Sequence, residues 1–142
     1  MALPVLIPLA IGTLVLVGCV KAVGEIRKTR PLASLEGSEW GPVETPANTE
    51  ISEQFVAFKP GGDIIGHGGC NQFFGQYTQD GEVLTIGALA STKKLCPDIM
   101  GAETAFLKNL QNSRRAEATH ILLKLYDAEG TELMQLRRRD WD

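Results

Sequence analysis

Residues 66–77 are Gly66-His67-Gly68-Gly69-Cys70-Asn71-Gln72-Phe73-Phe74-Gly75-Gln76-Tyr77. The aromatic residues of this stretch favour extended backbone, while the interleaved glycines interrupt the strand they would otherwise form. Glycine in such a place implies a bulge, a sharp bend or a close backbone approach. Asn71 can close a local turn by bonding to nearby backbone N–H groups. The stretch is therefore expected to be a structural corner of a sheet, with a ligand cradle as the alternative.

Upstream, Ile51 to Phe58 is rich in β-branched and aromatic residues and runs into Lys59-Pro60-Gly61-Gly62, a strong turn signal. Asp63-Ile64-Ile65-Gly66 then starts a second strand, which predicts a hairpin. Downstream, Gln72 to Thr78 and Val83 to Gly87 flank Asp80-Gly81, a pair that tolerates the positive φ of a tight reversal. Pro97-Asp98 opens a segment in which Ile99, Met100, Phe106, Leu107 and Leu110 recur at helical intervals. Asp98 and Glu103 lie near its positive end and Lys108 near its negative end. One amphipathic helix over about residues 98–112 is expected. His120 to Tyr126 alternates, with Ile121, Leu123 and Leu125 on one face, and Asp127-Ala128-Glu129-Gly130 turns it into Thr131 to Leu136. Six or more strands in hairpins with one helix point to an antiparallel, strongly curved sheet that closes over the helix or curls towards a barrel.

The chain has 142 residues, 44% hydrophobic, 22% charged and 6% aromatic, a composition that suits one small domain. Its 14 Lys and Arg against 17 Asp and Glu leave a net charge of −3, and no segment is basic enough for general nucleic-acid affinity.

Gly69-Cys70-Asn71, then Gly75, Tyr77 and Gly81, then Leu84, then Thr92 with Cys96 resemble the META domain, also called the HslJ-like family. Leu35, Trp40, Phe58, Glu103, Phe106 and the Leu123, Leu125, Gly130, Leu133 hairpin fall where that family has similar residues. The chain departs from it at Thr92-Lys93-Lys94-Leu95-Cys96, where many relatives have Thr-x-Met-Ala-Cys. The resemblance implies an α+β domain over about residues 35–139. It also implies an envelope lipoprotein connected with heat or antibiotic stress, and neither an enzymatic activity nor a cofactor.

The N-terminal segment bears on the compartment. Residues 2–20 read ALPVLIPLAIGTLVLVGCV, an apolar run with two prolines and the length of a signal h-region. Its end, Leu16-Val17-Gly18-Cys19, resembles a bacterial lipobox, in which the cysteine is acylated and becomes the mature N-terminus. Residues 1–18 are then a signal peptide, Cys19 the lipidation site, and residues 19–34 a tether of mixed charge. Against this order, no Lys or Arg precedes the run while Lys21, Arg27, Lys28 and Arg30 follow it. By the positive-inside rule that pattern suits an uncleaved anchor with the domain in the cytoplasm. The expected partners are a membrane reached through lipid and an envelope protein, with no nucleic acid and a monomeric domain.

With Cys19 assigned to lipid, Cys70 and Cys96 remain as an even pair. In an oxidising compartment they are candidates for a disulfide closing a loop of about 27 residues, and in a reducing one for ordinary buried cysteines. His67, Cys70, Cys96 and His120 could recruit zinc, but without a paired Cys-x-x-Cys spacing no metal site is expected. A thiol nucleophile at Cys70 aided by His67 has no third orienting residue. No serine sits in Gly-x-Ser-x-Gly, and the glycines lack dinucleotide spacing, so no catalytic or cofactor-binding residue is assigned. Trp40, Phe73 and Phe74 are expected in the core rather than on a binding surface. Arg137-Arg138-Arg139, followed by Asp140 and Asp142, is expected to be a solvated terminus.

Overall fold

The computed structural model describes residues 30–43 and 53–140, and alternation of buried and exposed side chains, the signature of a sheet with one wet face, runs through Asp63–His67, Val83–Ile86 and Leu122–Tyr126. The signal peptide, Cys19 and the tether up to residue 29 lie outside the described residues. The strands are β1 (Ser38–Pro42), β2 (Phe55–Phe58), β3 (Asp63–His67), β4 (Gln72–Asp80), β5 (Val83–Ile86), β6 (Ala90–Ser91), β7 (Arg115–Ala118), β8 (Leu122–Tyr126) and β9 (Glu132–Arg138). Among the described residues there is a single helix, α1 (Met100–Asn112), between β6 and β7.

Neighbouring strands follow the order β3-β2-β1-β9-β8-β7-β5-β4, and β4 returns to pair with β3, so the sheet closes into an antiparallel barrel. Strand β4 makes this closure possible because it is long enough to be shared. Its Gln72–Gln76 part pairs with β3, Phe73 and Phe74 also pair with β6, and Tyr77–Asp80 pairs with β5. The inward residues of the barrel, among them Trp40, Phe58, Ile64, Leu84, Leu123 and Leu136, are almost wholly buried. Phe58 and Tyr77 meet edge to face with centroids 4.9 Å apart.

Helix α1 contributes Glu103, Phe106 and Leu110 to the interior, positions spaced so that they share one face. Phe106 packs edge-on against Phe73 of β4 at 6.1 Å. The helix starts at Met100 rather than at 98, because Cys96 accepts the N–H bonds of both Ile99 and Met100 in the preceding turn. It stops where Ser113, fully buried, turns back to Leu110 and Asn109.

Three strands were not expected from the sequence. β1 reads Ser-Glu-Trp-Gly-Pro, whose glycine and proline signal a turn, and β7 reads Arg-Ala-Glu-Ala, good helix formers. Both are held extended by ladders to β2, β9 and β8. Strand β6 is two residues long and exists through β4 alone. The first hairpin strand begins at Phe55 rather than Ile51; residues 51 and 52 lie outside the described residues.

Of the C-terminal arginines, Arg137 and Arg139 are exposed as expected, but the segment is held to the barrel rather than free. β9 runs through Arg138, whose Nε donates to Asp140 at 2.8 Å and whose guanidinium lies 5.7 Å from the Trp40 ring centroid. Arg139 donates its N–H to Glu39 and stacks 4.9 Å over Phe55. These contacts lie along the seam between β1 and β9, where Trp40 pairs with Arg138 in register.

Pro31 bridges Thr119 and Leu32 donates to the Ala118 carbonyl, so the end of the segment read as a tether is already joined to the domain. Leu35 N–H reaches the Gln79 side chain and Gly37 N–H the Phe58 carbonyl. These bonds gather the incoming chain, the Lys59–Gly62 turn, the Asp80–Gly81 turn and the β7–β8 turn at one end of the barrel. Strands β3 and β4 run from that end to the other, where the 68–71 corner meets the start of α1.

Candidate functional site

The corner expected from the glycines sits between β3 and β4. Gly69 occupies it with φ +115°, a backbone that L side chains rarely adopt. Gly68 is demanded by proximity instead, since a Cβ there would stand 2.5 Å from Cγ of Glu103.

Glu103 organises the corner from the first turn of α1. Its Oε2 accepts the N–H of Cys70 at 2.8 Å and of Asn71 at 2.6 Å, and its Oε1 accepts Nδ2 of Asn71 at 2.8 Å. Two successive backbone N–H groups pointing at one oxygen make an anion-binding concavity. Here the chain's own carboxylate fills it, which answers the choice between structural corner and ligand cradle.

Asn71 does not close a turn on its own backbone. Its Oδ1 accepts Thr92 Oγ1 at 2.9 Å and Lys94 N–H at 2.6 Å, while Nδ2 also donates to the Lys94 carbonyl at 3.0 Å. One amide side chain thus ties β4 to the segment that follows β6. Gln54 closes the network from the other side, its Nε2 donating to the carbonyls of Gly68 at 2.8 Å and Ala102 at 3.3 Å. Among the described residues no buried side-chain nitrogen or oxygen lacks a partner.

Glu103 is 3% exposed, and burial alone would push its carboxyl upward. The bonds from the Asn71 side chain and from the N–H groups of Asn71 and Cys70 outweigh that and hold it below the ordinary value of 4.5. The carboxylate stays ionised because donors already point at it.

Cys70 and Cys96 form a disulfide, with Cα atoms 6.0 Å apart and a sequence separation of 26. Neither sulfur is a thiol in this state, so Cys70 offers no nucleophile. The four side chains considered for zinc do not assemble: among the described residues no group of three or more His, Cys, Asp or Glu is placed to hold a metal. His67 instead accepts the Gly69 N–H through Nδ1 at 3.1 Å.

The remaining singled-out residues serve the barrel. Gly75 lets Ala88 and Leu89 approach, where a Cβ would stand 2.9 Å from each. Tyr77 donates its hydroxyl to the Lys59 carbonyl, Gly81 turns with φ +59°, and Leu84 is fully buried. Trp40 and Phe73 are in the core, but Phe74 is 58% exposed, since adjacent strand residues point to opposite faces. Gln54 and the Lys94 backbone are site members the sequence did not single out. Chemically, the assembly joins the corner, the post-β6 segment and the helix start through one carboxylate, two amides and one disulfide.

A small antiparallel barrel with one helix and a disulfide-tied corner is the class this geometry defines. Residues 33–140 match the META domain, and the chain belongs to that family. No curated protein matches it. Among solved structures, a DUF4847 family protein from Bacteroides vulgatus aligns with TM-score 0.58 and 16% identity, covering 84% of this chain and 99% of that one. An NMR structure of a protein from Burkholderia xenovorans aligns with TM-score 0.58 and 20% identity, covering 75% and 84%. At these identities the likeness is one of fold.

Proposed function

We propose that this protein is a lipid-anchored component of the cell envelope that acts by binding, without catalysis, and supports tolerance to heat or antibiotic stress. The observation that carries this reading is the Cys70–Cys96 disulfide. Such bonds persist in oxidising compartments and are rare in reducing ones, which favours the envelope over the cytoplasm-facing anchor. Leu16-Val17-Gly18-Cys19 supports the same compartment from a separate part of the chain. A binding role fits a corner whose carboxylate, amide and sulfur atoms are all engaged with one another.

The test is the intact mass of the protein extracted from its native membrane, with and without reduction. The expected result is loss of residues 1–18, an added diacylglyceryl group, and a gain of about two mass units on reduction. A full-length, unlipidated, reduced chain overturns the envelope reading. Unchanged survival of a deletion strain under heat and antibiotics overturns the stress role.

A further inference from the structure

The segment between β6 and α1 combines two features that ordinary loops do not. Its side chains Lys93, Lys94 and Leu95 point to solvent, with Leu95 80% exposed, more than any other large hydrophobic residue described. Its backbone is nevertheless fastened at both ends. Thr92 donates its N–H to the Gln72 carbonyl, Lys94 is held by Asn71 through both its N–H and its carbonyl, and Cys96 is bonded to Cys70. The Cys96 carbonyl then accepts the first N–H groups of the helix start.

One exposed leucine on a surface is ordinary. An exposed leucine on a backbone held by a disulfide and an amide clamp is a different object. Binding through a floppy loop must first order it, whereas here that ordering has been done by folding. The two lysines have no ion-pair partner among the described residues, in a chain whose net charge is −3, so they form a local cationic point against an acidic background. Phe74, 58% exposed on the outer face of β4, lies in register with Ala90 of the strand that leads into this segment.

We infer that Lys93-Lys94-Leu95 is a preformed docking tip for an acidic segment of a partner protein, Leu95 entering an apolar pocket and the lysines meeting carboxylates around it. The position of the tip favours a protein over the anchoring bilayer. It lies at the corner end of the barrel, whereas the chain from the tether enters at the opposite end through Pro31, Leu32 and Leu35. In the lipid-anchored state proposed above, the tip is at the end of the barrel remote from the point of attachment. The inference deepens the binding role proposed above by naming its surface and the chemistry of its partner. Opposite charges there would steer encounter and fix register.

The experiment replaces Leu95 in the full-length chain, in its native cells, by the photo-crosslinking amino acid benzoylphenylalanine. Val83, 61% exposed on β5, carries the same replacement as a control. The expected result is one protein adduct from position 95 and none from position 83, the crosslinked peptide of the partner being rich in Asp and Glu. The double substitution Lys93→Glu, Lys94→Glu lowers adduct yield about tenfold or more while the protein remains folded by tryptophan fluorescence. Charge reversal in the identified acidic segment restores it. Crosslinking to lipid, to a second copy, or to a neutral or basic protein segment overturns the inference. So does the absence of any adduct, or an adduct that ignores both lysines. Lipidation and stress survival are read separately, so a lipidated chain whose loss sensitises cells but whose position 95 finds no acidic partner refutes the tip alone.

Discussion

Replacing Glu103 by Gln tests the corner most directly, because it changes one oxygen and a charge while keeping the shape. The glutamine oxygen can retain the two bonds from Cys70 and Asn71 N–H, now without charge assistance. Its NH2 group is then brought against Nδ2 of Asn71, a donor facing a donor. Asn71 cannot rotate to relieve this, since its Oδ1 already accepts from Thr92 and Lys94 and its Nδ2 serves the Lys94 carbonyl. Two bonds weakened by about 1 kcal/mol each and one buried donor left without an acceptor, offset by no longer burying a charge, put the loss at about 2–3 kcal/mol at neutral pH. For a domain of this size the melting temperature should fall by about 10–20 °C. Urea unfolding followed by tryptophan fluorescence measures it, Trp40 being wholly buried. The pH dependence gives an independent check. Glu103 has a folded-state pKa below its ordinary 4.5, so its contribution is complete above that value and is lost as the pH falls through the folded pKa. The gap between wild type and Glu103→Gln should therefore narrow as the pH falls below 4.5. A gap that does not change with pH, or a variant within about 0.5 kcal/mol of wild type at neutral pH, would refute this account of the corner.

Cys70→Ser with Cys96→Ser releases a loop of about 27 residues and should cost about 3.5 kcal/mol in the chain-entropy description, read as a lower midpoint equal to that of the reduced wild type. Two glycines predict opposite signs. Gly68→Ala drives a methyl into the Glu103 stem and should lose about 1–3 kcal/mol, while Gly101→Ala meets nothing within 4 Å in the first turn of α1 and should gain about 0.5–1 kcal/mol. Calorimetry of the pair would expose an error in either direction. Leu123→Ala, at a fully buried position of β8, should cost about 2–5 kcal/mol with the fold retained, and a loss below 1 kcal/mol would mean the barrel interior is looser than described.

The hairpins were legible because their signals are local: Pro60-Gly61-Gly62, Asp80-Gly81 and Asp127–Gly130 each reverse the chain between runs of suitable period. Closure was legible only as a tendency. The strands that complete it, β1 and β7, carry residues that locally prefer turn or helix and are recruited by partners far away in sequence. In the corner, Gly69, Cys70, Asn71 and Cys96 stood out by type, whereas the residue that binds them together did not. Glu103 falls on the same helical stripe as Phe106 and Leu110, and an acid on an apolar stripe is a signal that it must be met by donors. Its place near the positive helix end offered a milder explanation that masked this. Gln54 carries no such pattern and could be found only in three dimensions.

The pairing of β1 with β9 joins Trp40 to Arg138 across nearly the whole domain. Until the last strand has been synthesised, the first has nothing on that side to pair with, and the cylinder cannot shut. Completion of the chain and completion of the fold are therefore nearly the same event. A premature stop before residue 132 should leave two unsatisfied rims, at β1 and at β8, exposed to proteases and to one another.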